Sequence, residues 1–487
     1  MTQTNLLAKA ALASSALVRS PRPTVFAMEV PLTAGPSTGS VDGSGGCCRS
    51  TARQLQLCKL LYFLEGFSFA SFGRFATLYY LSRGLDAHEI GLIEACRPAT
   101  AIVGGVLFGW LSDRLRRKKA VFLATRVAST AVLLLLPAPF IGSSFPRILA
   151  LNAGGGFVGV GIGVLDAYTL DLLGERSTEY GQYRLWLAVS WGVGNAVMGN
   201  VAQISFDYNF ILFGGLTAVE LVLIAAVLPA RTRSEVKLRA DDARLHLQEE
   251  ERAADASAAA AAGRAAPSLR RVLLSPRVLL FLAEVTGVGV LMALVERFLF
   301  VYATNELLAP PSLCGYAVGC NVIVELPIFH YGARLLRTLG HDLMFVLALA
   351  AYAGRVYGYT RLTPATVWWL LALEVLHGVT FGLAWTAAVD YAKAAFPKRW
   401  QTTAQMLTGL CNARLGVILG ALLGGFFMQH GAFLGETDGR ALYLLASVAA
   451  AALLVAHAAA TLGLRACGAR GLLTPPPSAA GLPVTSE

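Results

Sequence analysis

The chain has 487 residues, 55% of them hydrophobic and 14% charged, with a mean hydropathy of +0.58 and a formal net charge of +10. A soluble domain is about a quarter charged, so this composition excludes an ordinary soluble protein and fits about a dozen bilayer-spanning helices of about 20 residues each. The positive excess does not point to nucleic acid, because the basic residues fall in short clusters between apolar runs.

Residues 1–56 precede the first apolar run. They carry Arg19, Arg22, Arg49 and Arg53 against Glu29 and Asp42, with many Ala and Ser. That composition fits either a disordered cytoplasmic tail or an organellar transit peptide. Cys47 and Cys48 lie close enough to the first span to be palmitoylated, but an unmodified reduced pair is the simpler expectation.

Apolar stretches of spanning length follow at 57–80, 89–111, 120–141, 148–173, 182–205 and 208–229. A polar connector at 230–275 mixes Arg231, Arg233, Lys237, Arg239 and Arg244 with Asp241, Asp242 and Glu249 to Glu251, and ends in an Ala-rich tract. It reads as a solvated linker without chemistry. Further apolar stretches recur at 277–303, 313–333, 342–360, 365–392, 402–429 and 440–463, before a disordered C-terminal tail, 464–487.

Positive charge is retained on the cytoplasmic side of a membrane protein. Alternate connections from the second stretch onward carry about twenty Lys and Arg, and the opposite set only Arg83, Arg147, Arg361 and Arg440. The expected fold is all-α and integral to the membrane: twelve transmembrane helices in two six-helix halves, 57–229 and 276–463, with cytoplasmic N and C termini. Faint internal symmetry agrees with two repeated halves. Gly109 precedes Arg114 by five residues as Gly332 precedes Arg337, and Asp166 and Asp390 occupy matching helices.

The run Gly109-Trp110-Leu111-Ser112-Asp113-Arg114-Leu115-Arg116-Arg117-Lys118 joins the second and third spans. It resembles the signature loop of the major facilitator superfamily, G-x-x-x-D-R-x-x-R-K. That resemblance implies the major facilitator fold and a latch for alternating access, formed by Gly109, Asp113, Arg114, Arg117 and Lys118. Gly109 would admit a neighbouring helix, and Asp113 would meet a helix end or an arginine in one conformation only. A basic loop that merely fixes orientation is the plainer alternative. The second-half counterpart has Leu336 in place of the acid, so the latch is expected to be asymmetric.

Three further runs narrow the resemblance: Leu61-Tyr62-Phe63-Leu64-Glu65, Gly181-Gln182-Tyr183-Arg184-Leu185-Trp186, and Glu374-Val375-Leu376-His377-Gly378-Val379-Thr380-Phe381-Gly382. They look like the lactose-permease-like branch, which includes nucleoside/proton symporters and the proteins called major facilitator superfamily domain-containing protein 6. Residues 57–463 are covered by this likeness.

Ionisable groups inside spans are costly and usually face the bundle interior. Glu65 is one candidate for the substrate and proton pathway. Glu94 and Arg97 share a helix face at i,i+3 and are either a neutralising pair or a binding pair. Asp166 and Trp186 follow; an interhelical salt bridge near the cytoplasmic ends is the alternative for Asp166. Asn321 and Glu325 are spaced i,i+4 before Pro327. Glu374, His377, Phe381 and Trp385 lie along one stripe, where an acid beside an imidazole could exchange a proton and the aromatics could stack on a substrate. Glu65, Glu325 and Glu374 are the leading proton-coupling candidates. Gly155, Gly159 and Gly163, and Gly416, Gly420 and Gly424, are spaced by four and predict close helix contacts.

The function expected is secondary active transport of a small organic solute by alternating access, with a proton as coupling ion. The alternatives are an uncoupled facilitator and a transporter-like receptor or interaction protein. No nucleophile elbow, Walker loop or HExxH motif suggests an enzyme, and no motif calls for a cofactor or metal. The eight cysteines show no CxxC spacing, and Cys96, Cys314, Cys320 and Cys411, in or beside apolar runs, read as packing residues. The lipid bilayer is the expected setting, at the plasma membrane, an endomembrane or an organellar envelope.

Overall fold

The computed structural model describes residues 44–115, 117–159, 163–229, 236, 269–397, 400–466 and 472–473. The chain before residue 44, nearly all of the 230–268 connector and most of the chain after 466 lie outside the described residues, as do the expectations placed on them.

In the first half the helices are α1 (Ser44–Phe72), α2 (Phe75–Ser82), α3 (Ala87–Leu115), α4 (Lys118–Leu134), α5 (Phe145–Val158), α6 (Gly163–Leu173), α7 (Tyr180–Ile204) and α8 (Phe206–Val227). In the second they are α9 (Leu269–Leu273), α10 (Pro276–Asn305), α11 (Pro311–His330), α12 (Gly332–Thr360), α13 (Leu370–Ala395), α14 (Gln401–Leu410), α15 (Val417–His430) and α16 (Asp438–Ala466). A π-helical turn, Cys411–Gly416, joins α14 to α15. Two-residue strands β1 (Ala432–Phe433) and β2 (Glu436–Thr437) pair in the loop before α16.

Helix ends follow local chemistry. The Asp86 carboxylate accepts from the Glu89 amide at 2.8 Å and the Glu89 carboxylate accepts from the Asp86 amide at 3.1 Å, a reciprocal box that starts α3. Ser205 and Ser275 cap α8 and α10 by accepting from Asp207 and Val278. Proline occupies the first turn of α5, α10 and α11, where its missing N–H costs nothing. Gly340 (φ +73°) breaks α12, so the span proper begins at His341, close to the boundary that hydropathy predicts.

Among the described residues eight helical segments are long and apolar enough to cross a membrane: α3, α8, α10, α11, α12, α16, residues 364–395 and residues 403–430. The other expected spans are bent, short or more polar. The first bends at Gly73–Arg74 between α1 and α2, α4 has 17 residues, α5 gives way at Gly159, and α7 carries Arg184, Asn195, Asn200 and Gln203.

Lipid tails give helices no reason to avoid them, so association depends on close packing and interhelical polar bonds. Gly416, Gly420 and Gly424 all face α10: a Cβ on Gly416 would stand 2.7 Å from the Gly289 Cα, and one on Gly420 would stand 2.6 Å from the Val290 oxygen. This matches the predicted stripe. The Gly155 stripe is corrected. A Cβ on Gly155 would make only ordinary contact with Leu133, and the close approach to α3 belongs to Gly156 against the Arg97 oxygen and to Gly104 against the Phe157 oxygen.

Buried charge clusters bolt each half together. In the first, Arg126 of α4 reaches Glu65 of α1 at 2.6 Å and Glu220 of α8 at 3.4 Å, with its guanidinium over the Phe69 ring. In the second, His457 of α16 meets Glu284 of α10 at 2.8 Å and Asp342 of α12 at 3.5 Å. Each cluster thus ties three helices through one central cation, α1, α4 and α8 in the first case and α10, α12 and α16 in the second.

Candidate functional site

A cavity of about 860 Å³ lies between the halves. At one end the halves meet in close backbone contact, since a Cβ on Gly91 of α3 would stand 2.6 Å from the Ala421 oxygen of α15, and one on Gly199 of α7 would stand 2.6 Å from the Pro311 oxygen of α11. Polar bonds reinforce this seam: Gln203 Nε2 donates to Ser312 Oγ at 2.7 Å, the Ala87 amide donates to Gln429 Oε1 at 3.2 Å, and the Tyr316 hydroxyl donates to Asn200 Oδ1 at 3.1 Å. The Phe75 and Phe300 rings meet across it at 5.3 Å, tilted by 51°. The wall continues away from this seam through Tyr180, Arg184, Phe329 and Trp385.

Two ion pairs cross the cavity's inner wall. Arg297 Nη1 of α10 holds Glu94 Oε2 of α3 at 2.9 Å, and Arg74 Nη2 stands 3.7 Å from Glu296 Oε1. The expected neutralising partner of Glu94 is therefore not Arg97 on the same helix but Arg297 on the other half. Spacing of i,i+3 allows a pair on the helix surface; a closer guanidinium from α10 takes the carboxylate instead. Arg97 faces the cavity without a carboxylate within 4 Å among the described residues.

α11 and α13 supply most of the groups available to a ligand. Gly378 lets the two helices touch, because a Cβ there would stand 2.6 Å from the Asn321 oxygen and 2.7 Å from the Glu325 nitrogen. That contact sets Asn321, Glu325, His377, Phe381 and Trp385 in one wall. Asn321 is 2% exposed, and neither its Oδ1 nor its Nδ2 has a partner. His377 Nδ1 is also unpartnered. Buried amides are normally satisfied, so this pair of orphaned groups marks a place where a solute can supply the missing bonds. The Phe381 and Trp385 rings stack at 6.2 Å and 11°.

Other expected pathway residues lie elsewhere. Glu374 belongs to the stripe by angle but sits one turn beyond the cavity's closed end, fully buried, where Tyr359 donates to its Oε1 and Arg355 stands 3.5 Å away. Glu65 is behind the wall on Arg126. Asp166 accepts from Tyr62 at 2.7 Å and pairs with Arg184 at 3.4 Å, the interhelical tie that was the alternative for it. Trp186 is on the back of α7: Gly181, Arg184, Leu185 and Ala188 face the cavity, while Trp186, about 100° round from Leu185, is 41% exposed and meets only Phe63 edge-on among aromatic rings.

Arg126, Arg297 and Arg414 line the cavity but escaped the sequence reading as site residues. A cation within an apolar run was the signal available for each. Among the described residues no cluster of three or more His, Cys, Asp and Glu side chains is arranged to hold a metal ion.

The MFS_1 like family model matches residues 55–434. The chain belongs to the MFS_1 like family, among the major facilitator transporters. An uncharacterized transporter of Bacillus subtilis, YwbF, is 23% identical over 71% of this chain and 79% of its own length. The maltose permease of Geobacillus stearothermophilus is 24% identical over 76% of this chain and 87% of its own. Among solved structures, the nucleoside transporter NupG superposes with a TM-score of 0.66 at 15% identity, covering 83% of this chain and 98% of that one. The likeness to NupG establishes a shared fold, and the family establishes a multi-pass membrane transporter.

The signature loop of this major facilitator protein lies outside the cavity wall. Gly109 has nothing within 4 Å of where a Cβ would be, Asp113, Arg114 and Arg117 are exposed, Lys118 is half-buried, and Arg114 lies over the Trp110 ring at 5.3 Å. The close helix approach expected at Gly109 is thus not made in this conformation.

Proposed function

We propose that this protein is a proton-coupled symporter that carries a small organic solute across the membrane by alternating access. The observation that carries this reading is the cavity between the halves, sealed at one end and walled by unpartnered polar groups. In this reading the chain crosses the bilayer twelve times, with the bent and interrupted helices completing two sets of six. The lysine and arginine bias sets both termini and the basic loops near 114–119 and 334–337 on the cytoplasmic side. The cavity then opens to the cytoplasm. Rocking the halves parts the Gly91 and Gly199 seam and closes the opposite end, where the loop from Gly109 to Lys118 engages as a latch.

Glu325 is the proton carrier in this scheme. Its carboxylate faces the cavity one turn from Asn321, and no hydrogen bond or ion pair occupies it among the described residues. A carboxylate without a fixed partner gains and loses a proton as solute and water come and go. Glu374, held by Arg355 and Tyr359, serves the architecture of the second half instead.

The test is uptake of a mixed solute panel into proteoliposomes with and without an inward proton gradient. Glu325→Gln is expected to keep solute exchange, which needs no net proton movement, while losing gradient-driven accumulation. Undiminished accumulation by Glu325→Gln removes the carboxylate from the coupling step. Absence of uptake of any solute, from protein shown to be folded, favours a transporter-like receptor.

A further inference from the structure

We infer that the solute is an organic carboxylate anion with a flat apolar body, a deepening that rests on the transport reading above. The charges in the wall carry the argument. Arg74 is matched by Glu296, Arg297 by Glu94 and Arg184 by Asp166, and Arg126 is met from behind by Glu65 and Glu220. Arg97 of α3 and Arg414 of the turn before α15 remain, both lining the cavity and neither within 4 Å of a carboxylate among the described residues. α3, α10 and the Cys411–Gly416 turn pack against one another, so the guanidinium groups of Arg97, Arg297 and Arg414 share one side of the cavity. Among the described residues Glu325 is the one unpaired acid in the wall.

A guanidinium that faces the cavity without a fixed counter-ion is free to take one from a ligand, and a carboxylate matches its fork with two parallel hydrogen bonds. The opposite wall offers the remaining contacts. Phe381 and Trp385 present parallel ring faces, Phe329 meets Phe381 edge-on at 6.0 Å, and Asn321 provides a free donor and acceptor. A neutral sugar would leave Arg97 and Arg414 unmatched; an aromatic carboxylate matches both walls.

The same arrangement links solute to proton. Ionised Glu325 repels a carboxylate in the shared cavity, and protonated Glu325 does not. Each ligand therefore favours the other, and by linkage the effect is reciprocal. One proton carried with one monoanion moves no net charge. A neutral solute carried with a proton moves one.

Phenylacetate and its neutral isostere phenylacetamide are the probes, with maltose and uridine beside them, using the full chain in proteoliposomes. Phenylacetate uptake is expected to rise with an inward pH gradient and to ignore a potassium–valinomycin potential. Arg97→Gln and Arg414→Gln are each expected to weaken phenylacetate binding by about tenfold or more, with the unfolding temperature of the empty protein unchanged. Uptake of maltose, uridine or phenylacetamide in preference to phenylacetate, driven by potential, overturns the anion assignment and leaves the transport reading standing. No uptake of any of the four overturns both.

Discussion

Replacing Arg126 by Met is expected to destabilise the first half by about 3–5 kcal/mol, because it strands two buried carboxylates. Glu65 is 2% exposed and Glu220 1%, and both lean on the one guanidinium at 2.6 and 3.4 Å. Without it they face each other across the junction of α1, α4 and α8, with no other described cation bonded to either. The desolvation already incurred by both acids is then uncompensated. The triple replacement Glu65→Gln, Arg126→Met and Glu220→Gln removes the charges together and is expected to recover most of the loss, since exchanging a whole buried ionic cluster for neutral groups is often close to neutral. Detergent-solubilised protein followed by thermal unfolding measures both. Arg126→Met at wild-type stability means that the cluster is not a structural bolt. Failure of the triple variant to recover assigns the loss to packing over Phe69 instead.

Gly199→Val is expected to abolish most transport while leaving the protein folded. The added Cβ would stand 2.6 Å from the Pro311 oxygen and 3.0 Å from the Ser312 Cα, both backbone atoms that cannot swing aside. Overpacking of this kind costs about 1–3 kcal/mol. In the alternating-access reading the strain falls only on the conformation in which this seam is closed. Populations of the two conformations therefore shift by about 5- to 150-fold toward the one open at the seam. Gly215→Val, on α8 with nothing within 4 Å, is the matched control and should transport normally. Equal transport by Gly199→Val and Gly215→Val would falsify the assignment of the α7–α11 seam as a moving contact.

Hydropathy made the all-helical, membrane-spanning character of the chain legible in the sequence. Apolar runs separated by lysine and arginine located the helices, and Gly109 to Lys118 pointed to the superfamily. Position within the site was less legible, for a geometric reason in each case. Helical periodicity gives the angle of a side chain but not the depth at which the cavity stops, so His377, Phe381 and Trp385 fall in the wall and Glu374 falls one turn past it. Periodicity on one helix also cannot reveal a partner on another: Glu94 and Arg97 match by spacing, yet Arg297, 203 residues away along the chain, takes the carboxylate. The cations Arg126, Arg297 and Arg414 gave only the weak signal of a charge within an apolar run, and their roles emerge from which helices meet.

The account depends on one cavity that is reached from either side of the membrane in turn. Side-specific labelling of Ala188→Cys in the cavity wall, with the eight native cysteines replaced, tests this most directly. In oriented vesicles a membrane-impermeant maleimide should react from the cytoplasmic side in the resting protein, and from the opposite side once Gly199→Val is added. Reaction confined to the cytoplasmic side in both proteins, with the seam variant folded, would contradict alternating access through this cavity.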